Sequence, residues 1–262
     1  MTLLALAGLS WGGWQANGRV RADGMVRAIG NASIDQVPAL VLQLAPYRRW
    51  ALPGLTQLRS DESDDAKLHA ALALLPTDQT QVNYLQDRLL ACSIAELPVI
   101  RDMLDAHAGE LKESLEARLR QLLLDGEVDK LRRFNAGLAL ATYEPDGPAW
   151  TAATARFLVE QLLSSSIDFQ SQYRAALQPV RLHLVDATAV AAEKASDATK
   201  RILATTALVD FGRDLPESLA RALVVADERQ HPILFEAVRK HTTEALAELD
   251  RQLIARPQRV WP

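Results

Sequence analysis

A chain of 262 residues with 48% apolar side chains can bury one large core or two ordinary ones. Its apolar content is mostly Ala and Leu with only 5% aromatics, which favours close-packed helices over sheets, and its single cysteine, Cys92, excludes an internal disulfide or a multi-cysteine metal site. The formal charge of −4 is uneven: residues 1–60 hold six Arg against two Asp, a net of +4, leaving −8 for residues 61–262, and no basic stripe interleaved with aromatics follows, so no nucleic-acid partner is expected.

The first fourteen residues carry no charged side chain and end in Trp11 and Trp14, with Arg19 and Arg21 just beyond. As a helix they span about 21 Å, short of the roughly 30 Å hydrocarbon core. No basic leader or A-x-A cleavage site accompanies them. Residues 1–16 are therefore expected to close a truncated transmembrane helix with its aromatic pair at the interface, or to form a buried N-terminal helix. Residues 17–262 are expected to form a helical-repeat domain.

Periodicity and punctuation predict helices near 18–30, 36–45, 62–75, 80–91, 97–107, 109–125, 128–143, 148–164, 169–193 with a break around Pro179, 197–211, 216–226 and 230–255 with a break near His241. Two motifs alternate along them. Ser33-Ile-Asp-Gln-Val-Pro38 and Ser93-Ile-Ala-Glu-Leu-Pro98 align at an offset of 60, with Leu44 against Leu104. A weaker copy matches Pro98 to Pro232 and His107 to His241, and a fourth shares Leu177-x-Pro179 with Leu44-Ala-Pro46. The second motif is Leu68-His-Ala-Ala-Leu-Ala-Leu74, Phe134-Asn-Ala-Gly-Leu-Ala-Leu140 and Ile202-Leu-Ala-Thr-Thr-Ala-Leu208, spaced by 66 and 68 residues. Its small residues Ala70, Ala136 and Ala204 suit the buried helix of each unit. Ser33-x-x-Gln36 and Ser93-x-x-Glu96 fit capping boxes, Asp214 and Asp146 precede early prolines, and Gly126 and Gly212 fall where helices should end. Short links between about eleven or twelve helices imply an all-α fold of antiparallel pairs stacked as an α-solenoid.

Chemistry is sparse. The phosphate-binding, dinucleotide, zincin, nucleophile-elbow and C-x-x-C patterns are all missing from the sequence. No two of His69, His107, His183, His231 and His241 share an i, i+4 spacing; His183 with Asp186 could meet on a helix surface, where a plain hydrogen bond is the ordinary outcome. Cys92, within Leu89-Leu-Ala-Cys92, reads as a buried structural thiol. Asp64 with Asp65 and Glu244 with Glu248 read as solvating carboxylates, and the run from Ser60 to Asp65 as a solvated first turn. No catalytic, cofactor or metal residue is expected. The remaining surface candidate is Tyr47, Arg48, Arg49 and Trp50, residue types over-represented in binding hot spots, with Trp50 packing into the next helix as its plainer alternative.

The segments Trp11-Gly-Gly-Trp14, Ala45-Pro-Tyr-Arg-Arg-Trp-Ala51, Ala73-Leu-Leu-Pro76, Gln81-Val-x-Tyr-Leu-x-Asp-Arg-Leu-Leu90, Glu96-Leu-Pro-Val-Ile-Arg-Asp102 and Tyr143-Glu-Pro-Asp146 carry a resemblance. The chain resembles the HEAT-like helical region of large bacterial proteins that join a serine/threonine protein kinase, a transmembrane helix and a formylglycine-generating-enzyme-like (sulfatase-modifying) domain. The resemblance implies a connecting region without catalytic residues of its own. It implies a non-catalytic scaffold, spacer or protein-interaction module next to a membrane, or a docking or regulatory fragment of such an enzyme. Its partners would be another protein or attached domains, with membrane contact through residues 1–16. Arg19, Arg21 and Arg27 flank the apolar segment as cytoplasmic basic residues do, whereas the resemblance suits an extracytoplasmic helical domain.

Overall fold

A computed structural model describes residues 2–61, 63–107 and 109–255, and among them the chain is all-α, without a strand. It divides into two compact units, Met1–Ala117 and Arg118–Pro262. The first holds α1 (Thr2–Asn31), α2 (Val37–Leu44), α3 (Arg48–Arg59), α4 (Asp64–Leu74), α5 (Gln81–Ala91) and α6 (Leu97–His107); α7 (Lys112–Leu124) begins there and ends in the second. The second continues with α8 (Lys130–Tyr143), α9 (Ala152–Ser164), α10 (Gln170–Ala176), α11 (Arg181–Lys194), α12 (Ala198–Phe211), α13 (Pro216–Val225), α14 (His231–Val238) and α15 (Thr242–Ala255). The backbone of α1 passes residue 16 without a break. No helix among the described residues is long and apolar enough to cross a membrane.

The repeat is written in backbone hydrogen bonds. At Ser33, Ser93, Ser166 and Asp227 the carbonyl accepts the N–H three residues on, from Gln36, Glu96, Phe169 and Gln230, at 3.0, 3.1, 3.1 and 3.2 Å. An α-helix follows each turn, then a 3-10 break at Ala45–Tyr47, Gly109–Leu111, Gln178–Val180 or Arg239–His241, then a second α-helix. Pro38, Pro98 and Pro232 each take the second helical position, where the missing N–H breaks no helical bond. The copy aligned through Leu177-x-Pro179 extends back to Ser166-Ile-Asp168, which repeats Ser33-Ile-Asp35 but carries Ser171 where Pro38 stands in the first copy.

Between successive broken helices lies the second motif, as α4, α8 and α12. Each starts from a capping oxygen. The Ser63 hydroxyl accepts from Ala66 N–H at 3.4 Å; Asp129 accepts from Leu131 and Arg132 at 3.0 and 3.2 Å; Asp197 accepts from Thr199 and Lys200 at 2.7 and 3.1 Å. These amides hold the Asp197 carboxyl below its ordinary range. Burial then follows the small-residue stripe: Ala70, Ala136 and Ala204 are fully buried, as are Leu72, Leu140 and Leu208. Truncating any of these leucines to Ala should cost roughly 2–5 kcal/mol, since a close-packed interior refills only part of the cavity. Within the second unit α11 packs along α12 and against α9 and α13, α13 packs on α15, and α12 on α14.

Several boundaries differ from expectation. The sequence map leaves residues 46–61 without a helix; instead α3 runs through them from Arg48 to Arg59, Pro53 and Gly54 included. A Cβ on Gly54 would lie 3.3 Å from Val26 Cγ1, so this glycine serves close packing on α1. The helix expected from residue 148 starts at Ala152, where Thr151 accepts from Thr154 N–H at 3.2 Å. Of the two predicted capping boxes only Ser93/Glu96 forms, with Ser93 N–H donating to Glu96 at 2.7 Å and Glu96 N–H to the Ser93 hydroxyl at 3.4 Å. Ser33 makes no side-chain cap bond. Asp214 does not cap α13, because it accepts from Arg181 at 2.7 Å instead. His107 and His241 are not equivalent either: His107 ends α6, whereas His241 lies in a break, because α6 is three residues longer than α14.

Candidate functional site

The predicted surface cluster assembles where the first broken helix meets α1. Tyr47 ends the 3-10 break, and Arg48, Arg49 and Trp50 form the first turn of α3. The half-buried Trp50 ring lies on Gly18, where a Cβ would sit 2.8 Å from it. The Arg49 guanidinium stacks 3.8 Å from the Trp50 ring centroid, and Arg21 donates to the Tyr47 hydroxyl at 2.8 Å. Arg48 is half-buried, and its Nε has no hydrogen-bond partner among the described residues. Tyr47, Arg49 and Trp50 are thus in contact, with Arg21 bonded to Tyr47, while the indole face toward α1 is occupied by helix packing.

The single chemistry-bearing residues serve the fold. His69 is buried, with Nδ1 3.0 Å from the Ile29 carbonyl. His183 stacks beside Trp150, with centroids 6.5 Å apart, rather than bonding Asp186. Burial, with Glu96 nearby, pushes the Cys92 thiol up to about 12; its Sγ donates to the Leu89 carbonyl. Glu248, expected to be solvated, is buried instead and pairs with Arg251 at 2.8 Å. Arg133 and Arg201, each four residues past a capping Asp, donate to the Leu123 and Ala195 carbonyls at 2.8 and 2.9 Å, closing the ends of α7 and α11. Among the described residues no group of three His, Cys, Asp or Glu could hold a metal ion.

A groove in the second unit is the site that sequence reasoning missed. It has a volume of about 420 Å³ and runs between α11 and α13, floored by Gln230 and Leu234 and reached by Gln252 from α15. The α11 wall carries Asp186, Ala189, Val190 and Glu193; the α13 wall carries Ser218, Arg221, Ala222 and Val225. Each wall follows the i, i+3/i+4, i+7 spacing of one helix face, a signal present in the sequence but unremarkable until the two faces are opposed. Gln230 Nε2 donates to the Ala192 carbonyl and the Thr205 hydroxyl, both at 2.8 Å, while its Oε1 accepts from Asp227 N–H at 3.1 Å. The floor's polar group is thus already satisfied. No histidine lines the groove. No family model, curated protein or solved structure matches the chain.

Proposed function

We propose that this chain is a non-catalytic helical-repeat scaffold, stacked as a HEAT-like solenoid, that presents helix faces to a protein partner beside a membrane. The observation carrying this reading is that the repeated polar groups close the fold's own backbone: the four turn carbonyls, the caps at Asp129 and Asp197, and Arg133 and Arg201 all satisfy helix ends. What remains at the surface is shape and charge, as in the opposed walls of α11 and α13. Solenoids use stacked helix faces as extended binding surfaces. Membrane proximity draws support from the uncharged residues 1–14 followed by Arg19, Arg21 and Arg27. The connecting role between a kinase and a sulfatase-modifying domain rests on the sequence resemblance.

A photoreactive residue placed in turn at exposed Leu42, Asp186 and Phe235 tests the reading in the organism that encodes the chain. A discrete protein adduct, in the membrane fraction, is expected from at least one position. Uniformly diffuse labelling in the soluble fraction would overturn the proposal.

A further inference from the structure

We infer that the groove between α11 and α13 receives an amphipathic helix from a partner protein, one whose apolar stripe is flanked on one side by two basic residues two turns apart. The inference rests on the interaction-module reading and gives the partner a chemistry.

Shape is the first argument. Residues 186 to 193 and 218 to 225 each cover two helical turns, so the walls extend about 10.5 Å at 1.5 Å per residue. Two such walls form the seat into which an amphipathic helix lays its i, i+3/i+4, i+7 anchors. Composition is the second. Ala189, Val190, Ala222 and Val225 leave room for an incoming side chain, and Leu234 supplies an apolar floor. The satisfied Gln230 offers a small polar ligand little to bond. Charge is the third. Asp186 and Glu193 are exposed at the two ends of the α11 wall, seven residues apart. Among the described residues neither makes a hydrogen bond or ion pair. The opposite wall's Arg221 donates to the Ser218 hydroxyl at 3.2 Å and shares the buried Glu248, 3.9 Å away, with Arg251. The two carboxylates of the α11 rim thus stand on the wall opposite Arg221, and they select a partner flank carrying Lys or Arg at matching i, i+7 positions.

The test uses the full chain and two fluorescent four-turn peptides. Both have Leu and Ala along one stripe; the first has two Lys seven apart on one flank, the second two Glu at the same places. The Lys peptide should bind saturably and the Glu peptide should not. Asp186→Lys with Glu193→Lys should weaken the Lys peptide at least about tenfold and confer binding of the Glu peptide, since attraction becomes repulsion at two sites. Ala222→Trp, with its fold checked by circular dichroism, should block both. Glu160→Lys, on the exposed surface of α9, should change neither. Equal binding of the two peptides, indifference to the charge reversal, or no saturable binding would overturn the inference. So would a concentration-dependent dimer that Ala222→Trp dissolves, which would assign the groove to a second copy. Partner adducts at Leu42 or Phe235 with no peptide in the groove would leave the scaffold reading standing and remove this one alone.

Discussion

Gly137 faces Leu158 so closely that a Cβ on the glycine would fall 2.7 Å from Leu158 Cδ2 and 3.1 Å from Leu123 Cδ1. The same motif position carries Ala71 in α4 and Thr205 in α12, so α8 has given up its side chain to bring α7 and α9 closer. Gly137→Ala gains about 1 kcal/mol of helix propensity but overpacks a filled site, which typically costs about 1–3 kcal/mol. A net loss of roughly 1 kcal/mol is expected in urea unfolding. Gly24→Ala, at an exposed position of α1 with nothing within 4 Å of the new methyl, should instead stabilise by about 0.5–1 kcal/mol.

Gln230 ties α14 to both α11 and α12. Gln230→Leu removes the donor to Ala192 O and Thr205 Oγ1; the Thr205 hydroxyl still donates to the Arg201 carbonyl at 2.8 Å, so the Ala192 carbonyl at the groove floor is the group that loses its partner. A loss of about 2–3 kcal/mol is expected, because a stranded buried polar group costs more than the net worth of its bond. Thr205→Val should cost less. The double variant should fall short of the sum of the two, which a thermodynamic cycle from urea melts will read directly.

Burial alone would raise the Glu96 carboxyl, yet the Ser93 amide, the Arg88 guanidinium and the Ser93 hydroxyl together outweigh it and hold Glu96 below its ordinary range. A carboxyl depressed on folding contributes stability that is complete above its unfolded pKa and fades as pH falls through the folded value. Wild-type stability should therefore decline below about pH 4.5 more steeply than that of Glu96→Gln. Above that range the variant should be the less stable of the two, since it loses the ionic contact to Arg88. Unfolding free energies across the acid limb decide the matter; parallel curves would refute it.

With its thiol pushed up to about 12, Cys92 carries roughly one thiolate in ten thousand at pH 8. Iodoacetamide should leave it unmodified in the native chain and alkylate it promptly in urea. Mass spectrometry of the two samples gives the answer, and fast native labelling would show that the end of α5 opens locally.

Helix type, the alternating motifs and most helix starts were legible because they rest on local chemistry: apolar period and a proline at the second position. The caps of α8 and α12 were not: Asp129 and Asp197 stand 66 and 68 residues after Ser63 and Asp129, in step with the buried motif, whereas Asp146 and Asp214 are the positions that read as caps. The failures came where tertiary contact overrode local preference. The map carries no helix over 46–61, where α3 packs Gly54 against Val26, and Asp214 reads as a cap until Arg181 takes it. The cluster at Tyr47 and Trp50 was legible as a group of residue types, but its use of Gly18 as a platform was not. The α11–α13 groove was hidden for a related reason, since a recess belongs to neither helix alone.

Twelve residues separate Ser33 from Ala45, Ser166 from Gln178 and Asp227 from Arg239, whereas sixteen separate Ser93 from Gly109. Yet α7 still follows its break at full length. A continuous helix would transmit four added residues as a rotation of everything downstream, turning apolar positions away from their neighbours. An interrupted one resets its phase at each break. The 3-10 turns thus act as expansion joints: a duplicated unit can gain or lose a turn in one limb while the next limb keeps its face, so length can drift between copies without unpicking the packing that unites them.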